Sequence, residues 1–548
     1  MRRRLALIPS LVLTGLVTGC TYNLYFYVDG SGGAGGTGGG SATASTASAG
    51  SGGGCAPGSV MPCYSGPAGT ESKGLCQAGS RTCEDDGITY GACVGEVLPT
   101  PENCASPTDD DCDGLAPACQ GELLWSKRFG DNNEQFLYGV ATDSVGNVIV
   151  AGSFGGTVDF GGGPLISAGT NDVFLVKMNA NGNHLWSRSF GDASQQNARG
   201  VAFDSMGSVL VTGVFAGTMS FGGGPLISAG GNDIFVAKLD ANGGHLWSKS
   251  FGDLLNQDAW GIATDAMDNV LLTGSFGGTL DFGGGSVSSA GSGDIFIAKL
   301  DSTGNHVWSK RFGDTSLQTG RSIAVDATGD VLIAGGFTGT VSFGGNLLTS
   351  AGSGDVFVAK LDGNGAHLWS NRFGDTDQQD VSGLAVDPSG NVIITGEFSG
   401  TADFGGKPLV SAGGFDLFVA KLDGAGGHIW SKRFGDVDDQ GGAPSIAVDG
   451  SGNMFAAGTF HGALNFGGGP LASAGDEDAY LAKLDGNGGH LWSKRFGDVS
   501  DGQVATCLAV DGDGNVIVGG YFSGTVDFGG GAVISAGGND AFLAKFSP

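Results

Sequence analysis

Six histidines recur at a fixed spacing along this chain, His184, His245, His306, His367, His428 and His490, and imidazole is the commonest side-chain ligand for zinc, copper and iron. A metal centre would need three or more of them within about 2 Å of one ion. Seven glutamines repeat in the same rhythm, Gln135, Gln196, Gln257, Gln318, Gln379, Gln440 and Gln503, each in a loop that opens with Phe-Gly-Asp and runs through Asp, Asn or Ser. Amides and carboxylates in that company suit sugar hydroxyls or calcium, and they equally suit capping of free backbone groups at strand ends. A third series, Asp143, Asp204, Asp265, Asp326, Asp387, Asp449 and Asp511, opens turns, where Asp accepts hydrogen bonds from its own backbone. Only the last copy, with Asp511, Asp513 and Asn515 at alternate positions, has the oxygen spacing of a calcium loop.

The elements that must position these residues are set by a tryptophan period. Trp125, Trp186, Trp247, Trp308, Trp369, Trp430 and Trp492 are separated by five intervals of 61 residues and one of 62, the signature of an array of supersecondary units. Within one period, residues 138–144, 147–154, 172–178 and 184–190 alternate apolar and polar side chains, are rich in β-branched and aromatic types, and break at Gly, Asn or Asp. They are predicted to be short strands joined by tight turns, with a Gly-rich excursion at 157–169. The array opens with only the second half of the last hairpin, residues 122–130, and closes with only the first half, residues 540–546. Pairing the two halves completes a seventh unit and leaves no open strand edge, so the fold class is all-β: a seven-bladed β-propeller of four-stranded blades, its ring closed by N- and C-terminal strands sharing the last blade.

That topology weighs the candidates. Each repeated His opens the outermost strand, some 20 Å from the axis at about 4.8 Å per strand, so neighbouring copies stand more than about 15 Å apart and cannot share a metal. The innermost strand carries Gly139, Gly200, Gly261, Ser322, Gly383, Ser445 and Cys507 at equivalent places, small residues for a crowded centre. Cys507 reads as a buried apolar side chain, and solitary His461 carries no chemistry by itself.

The recurring pattern Ala-x-Asp-x-x-Gly-Asn-Val, Gly-x-Phe, Asp-Phe-Gly-Gly, Asp-x-Phe-x-Ala-Lys-Leu-Asp and Leu-Trp resembles the bacterial β-propeller repeat of secreted and cell-surface proteins, the SBBP type, over 427 of 548 residues. The resemblance implies the propeller fold and an extracytoplasmic setting, and no activity.

Residues 1–19 have the form of a lipoprotein signal peptide: Arg2, Arg3 and Arg4, an apolar run from Leu5 to Val17, then Val17-Thr18-Gly19-Cys20. The run is too short to span a bilayer as a helix. It resembles bacterial lipoprotein signals, which implies lipidation of Cys20 and, with Thr21 following, an outer-membrane protein facing periplasm or exterior. Residues 20–54 form the lipid anchor and a tether rich in Gly, Ser and Ala, flexible by composition. Residues 55–121 hold Cys55, Cys63, Cys76, Cys83, Cys93, Cys104, Cys112 and Cys119, with no Cys-x-x-Cys pair and no His. In an exported chain they read as a module stapled by four disulfides whose connectivity the spacing leaves open. Asp109, Asp111 and Asp113 before Gly114 resemble the start of a calcium loop without its closing Glu. Residues 122–548 are the propeller.

A net charge of -29, or -32 once three Arg leave with the signal, argues against nucleic acid as a partner. The expected function is that of a lipid-anchored, non-enzymatic envelope or cell-surface binding or scaffold protein. Its partners would be the membrane through its lipid and a glycan or another envelope protein, and it would be a monomer. No cofactor is expected, with calcium the one candidate ion. The alternatives are a polysaccharide hydrolase or lyase acting through Asp377, Asp438 and Asp439, and a calcium-dependent adhesin.

Overall fold

A computed structural model describes residues 55–67, 69–99, 109, 112, 120–442, 444–475, 477–499 and 502–548 with their side chains, and the backbone of 12–17 and 20–25. The chain divides into two units, Tyr27–Glu122 with Pro548, and the remainder.

The larger unit is an all-β propeller of seven four-stranded antiparallel blades. In the first, Gln135–Thr142 is innermost, followed outward by Val148–Phe154, Asp172–Met178 and His184–Phe190. The pattern repeats through the sixth blade, which ends at His490–Phe496. The seventh takes Gln503–Val510, Val516–Phe522 and Asp540–Phe546 from the C-terminus and Leu123–Phe129 from the N-terminus, with Ala541 opposite Phe129 and Phe546 opposite Leu123. The predicted closure is therefore the observed one. The Gly-rich excursion is more ordered than its composition suggests: Thr157–Asp159 and Pro164–Ile166 pair as a small ribbon, repeated in every blade.

Two devices join neighbouring blades. Phe rings stack across the boundary, as where Phe129 of the closing blade meets Phe160 of the first at 4.9 Å and Phe160 meets Phe174 at 4.8 Å. The tryptophan and lysine of one blade also clamp the next. Trp308 Nε1 and Lys299 Nζ both donate to the carbonyl of Gly363, at 3.1 and 3.0 Å, while Lys299 pairs with buried Asp265 at 2.8 Å. Trp125 and Lys545 do the same at Ala180, which locks the seventh blade onto the first. The tryptophan period thus reflects a bond made 55 or 56 residues onward in every copy but one. Trp492 faces the place where the closing blade has chain ends in place of a turn, and its indole N–H has no acceptor.

Val12–Val17 and Cys20–Tyr25 pair as a ribbon against the innermost strands, Thr14 opposite Val325 and Cys20 beside Val140. In the smaller unit, Val60–Cys63 pairs with Gly79–Thr82. Disulfides join Cys55 to Cys83, Cys63 to Cys93 and Cys76 to Cys112. Loops of 28 to 36 residues are worth about 3 to 4 kcal/mol each when closed in this way. Cys104 and Cys119 lie outside the described residues, as do Asp111 and Asp113. Asp109 is buried, and its carbonyl accepts from Leu75 N at 3.0 Å.

Candidate functional site

The repeated polar residues are consumed by the scaffold. Each loop Gln is almost wholly buried. Gln135 donates from Nε2 to Asp131 Oδ1 at 2.9 Å and to the Gly155 carbonyl at 3.1 Å, and its Oε1 accepts from Asp131 N at 3.2 Å. Gln196, Gln257, Gln318, Gln379 and Gln440 repeat all three bonds. Gln503 makes the outward bond to Ser523 and accepts from Asp498 N. These seven side chains face into their own loops, not toward a ligand. The six histidines bond the Ser three residues on, as His184 Nε2 does with Ser187 Oγ at 3.1 Å. Asp511 is ion-paired to Lys545 at 2.7 Å and accepts from Asp513 N and Asn515 N, so the turn satisfies its own oxygens. Among the described residues no group of three or more His, Cys, Asp or Glu has the arrangement of a metal site. Asp377, Asp438 and Asp439 are exposed; Asp377 and Asp438 bond within their own loops, and Asp439 accepts from Phe415 N at 2.9 Å and adds its charge to the field at Glu397. The acids that do reach the channel are others.

They are found where the blades differ. In six blades the innermost strand carries a β-bulge three residues after the Gln, and the extra residue is left out of the ladder. Those residues are Tyr138, Arg199, Trp260, Arg321, Ser382 and Thr506, five residue types at one place in the repeat. The large ones stack in order around the channel mouth. The Arg199 guanidinium lies 5.2 Å from the Tyr138 ring centre and 4.5 Å from that of Trp260, and Arg321 lies 4.9 Å from Trp260. The small ones bond the neighbouring blade instead, Ser382 Oγ to the Pro444 carbonyl at 2.8 Å and Thr506 Oγ1 to that of Leu137.

The sixth blade departs furthest. Gly441, Gly442 and Pro444 occupy the bulge region, and because proline has no N–H the strand begins only at Ser445. Gly442 has φ of +113°, and a Cβ there would lie 1.9 Å from Thr459 Oγ1. The missing side chains open a cavity of about 390 Å³ lined by Tyr138, Arg199, Trp260, Glu397, Thr459 and Tyr521, among others.

Its electrostatics are those of a desolvated site. Asp380 and Glu397 sit directly opposite each other across two strands, a like-charge placement that disfavours double ionisation. Burial pushes both carboxyls above their usual range; Arg321, 3.3 Å from Asp380, opposes this, and the Asp380 charge adds to it at Glu397. Glu397 Oε2 accepts from Gly442 N at 3.1 Å. Burial likewise raises Asp258, against the pull of Arg199 and Arg321, and moves the Tyr521 phenol up to about 12. Among the described residues Arg199 makes no ion pair, and its buried Nε has no hydrogen-bond partner. Asp380 and Arg321 line a smaller neighbouring cavity; the larger one offers Arg199, Glu397, Glu477 and the rings of Tyr138, Trp260 and Tyr521, which can hold a polar ligand with flat apolar faces. In the repeats the residues before and after the Gln vary from blade to blade as well as the one three after it, so sequence alone does not single out the position that the bulge turns toward the axis.

The fold defines a seven-bladed propeller protein with a non-repeating pocket at the channel mouth. No protein-family model matches the chain. It is 23% identical over 507 residues to an uncharacterised WD repeat-containing protein of Acanthamoeba polyphaga mimivirus, covering 74% of this chain and 36% of that one. It is 24% identical over 281 residues to the regulatory protein FlaEY of Caulobacter vibrioides, covering 47% and 29%. The chain thus spans about a third of the length of these curated relatives. Among solved structures, the WD40 propeller domain of Doa1 is 11% identical with a TM-score of 0.42, covering 78% of this chain and 96% of that one. The polysaccharide lyase Uly1 is 12% identical with a TM-score of 0.38, covering 74% and 90%.

Proposed function

We propose that this is a non-enzymatic binding protein of the bacterial envelope, held to the outer membrane by a lipid on Cys20, and that it takes a glycan or an envelope protein in the channel-mouth pocket. The observation that carries the reading is that residues differing between blades, Tyr138, Arg199, Trp260 and Thr506 among them, converge on one cavity. Seven copies that vary only on their outer faces would suit multivalent contact, whereas copies that vary where they converge build one asymmetric site. Cleavage before Cys20 would remove Val12–Val17, the strand that pairs with Cys20–Tyr25 along its whole length.

The test is binding of the processed chain to immobilised glycans and cell-wall fragments, with calcium and with chelator, beside a Thr459→Trp variant that fills the cavity. Saturable binding lost in the variant is expected; binding that the variant leaves unchanged would place the site elsewhere. Radiolabelled palmitate should enter the wild type and not Cys20→Ser. A hydrolase or lyase reading has one observation behind it, the paired Asp380 and Glu397 with raised pKa values. Turnover of an envelope polysaccharide abolished by Glu397→Gln would establish it.

A further inference from the structure

We infer that the pocket recognises a sugar bearing a single carboxylate, with Arg199 as the group that receives it. The inference rests on the pocket being the binding site. Four observations converge on it. Arg199 lines the cavity, and a guanidinium presents a planar fork that matches a carboxylate with two parallel hydrogen bonds. It is held in place between the Tyr138 and Trp260 rings, so little side-chain freedom remains to be lost on binding. Its guanidinium also has no direct ionic partner: Arg321, its counterpart on the far side of Trp260 in the blade order, is engaged by Asp380 at 3.3 Å, whereas among the described residues Arg199 makes no ion pair and is attracted by Asp258 only at longer range. The rest of the lining suits a sugar ring, with the Tyr138, Trp260 and Tyr521 rings for its apolar face and Thr459 and Glu397 for its hydroxyls.

Charge limits the ligand further. A chain at -29 repels polyanions, and Asp258, Asp380, Glu397 and Glu477 stand around the site. A phosphate dianion or a run of uronic acids would meet several of these carboxylates, while one carboxylate facing Arg199 need not. A cavity of about 390 Å³ has room for roughly one or two sugar rings. The ligand is therefore a free sugar acid or the terminal acidic residue of a longer chain.

Calorimetry of the full processed chain tests this with galacturonate, glucuronate and N-acetylneuraminate, each as the free sugar, as its methyl ester, and as the end residue of a short oligosaccharide. Binding of at least one free acid, at least tenfold tighter than its ester, is expected. The free sugar binding as well as the oligosaccharide would identify a sugar-acid site, and tighter binding of the oligosaccharide a chain-end site. Arg199→Gln should weaken binding of the acid at least tenfold and leave the ester unchanged, with the melting temperature confirming that the variant folds; the wild-type comparison of acid with ester stands without it. Equal affinity for acid and ester overturns the inference, as does an equal response to a tripeptide with a free carboxylate. Failure of every acid while neutral glycans bind in a Thr459→Trp-sensitive way would sink the carboxylate assignment and leave the binding function intact.

Discussion

At the scale of single residues, the Phe-Gly-Asp aspartates show how a carboxylate can be structural without being buried. Asp314 accepts from Ser316 N, from Thr340 N and its hydroxyl, and from Gln318 Nε2. Burial alone would raise its pKa, but these bonds hold it at about 2, against 3.8 ordinarily. A lowered folded pKa contributes stability that is present above the unfolded value and lost as pH falls through the folded one. The melting temperature should therefore decline between pH 3.8 and about 2, and Asp314→Asn should show a shallower decline in calorimetric scans. Glu397 runs the other way. Its raised pKa means that stability is present below the unfolded value of 4.5 and lost as pH rises through the folded one. Glu397→Gln should melt higher than wild type at pH 8, and the gap should close below pH 4.5. Gly442→Ala, at φ +113° with Thr459 Oγ1 in the way, should cost about 1 to 3 kcal/mol in urea unfolding and weaken ligand binding.

Among elements, the clamp between blades makes two tryptophans unequal although the sequence repeats them identically. Trp308→Phe removes a bond to the Gly363 carbonyl and should cost about 1 kcal/mol beyond the loss of ring area. Trp492→Phe removes a buried N–H that has no acceptor, so its cost should be smaller in the same unfolding assay. Equal costs would show that ring packing, not the carbonyl, holds the blades together. Lys299→Met leaves Asp265 buried without its cation and should destabilise by about 3 to 5 kcal/mol. The strands, their turns and their order from axis to rim were legible in the repeat, because period-two alternation and Gly-Asn turns dictate local geometry. The capping role of the Gln residues was visible only as one of two options, since Gln in a polar loop has the same composition whether it faces solvent or its own backbone.

For the whole molecule, closure is what converts seven marginal sheets into one body. Deleting residues 120–130 would uncover the edge from Ala541 to Phe546, and unpaired edges recruit other chains. Size-exclusion chromatography should show the truncated protein as oligomers, with the intact chain at a single smaller size. Closure also creates the channel, where side chains at equivalent places in neighbouring blades come into contact. Arg199 and Trp260 are one repeat apart and stacked at 4.5 Å, whereas the histidines, repeated just as regularly, remain separate on the rim.

The sequence by itself determined the all-β class, the number of blades and the ring closure, because each follows from periodicity, turn chemistry and two half-hairpins that can only complete each other. It also marked the disulfide-bearing segment, though not which cysteines pair. Only the tertiary structure decided which of the recurring polar residues are spent on the scaffold and which variable ones meet. The reason is geometric: in six of the seven blades a β-bulge turns one residue toward the axis, and the ring brings those residues together from positions spread over hundreds of residues of chain.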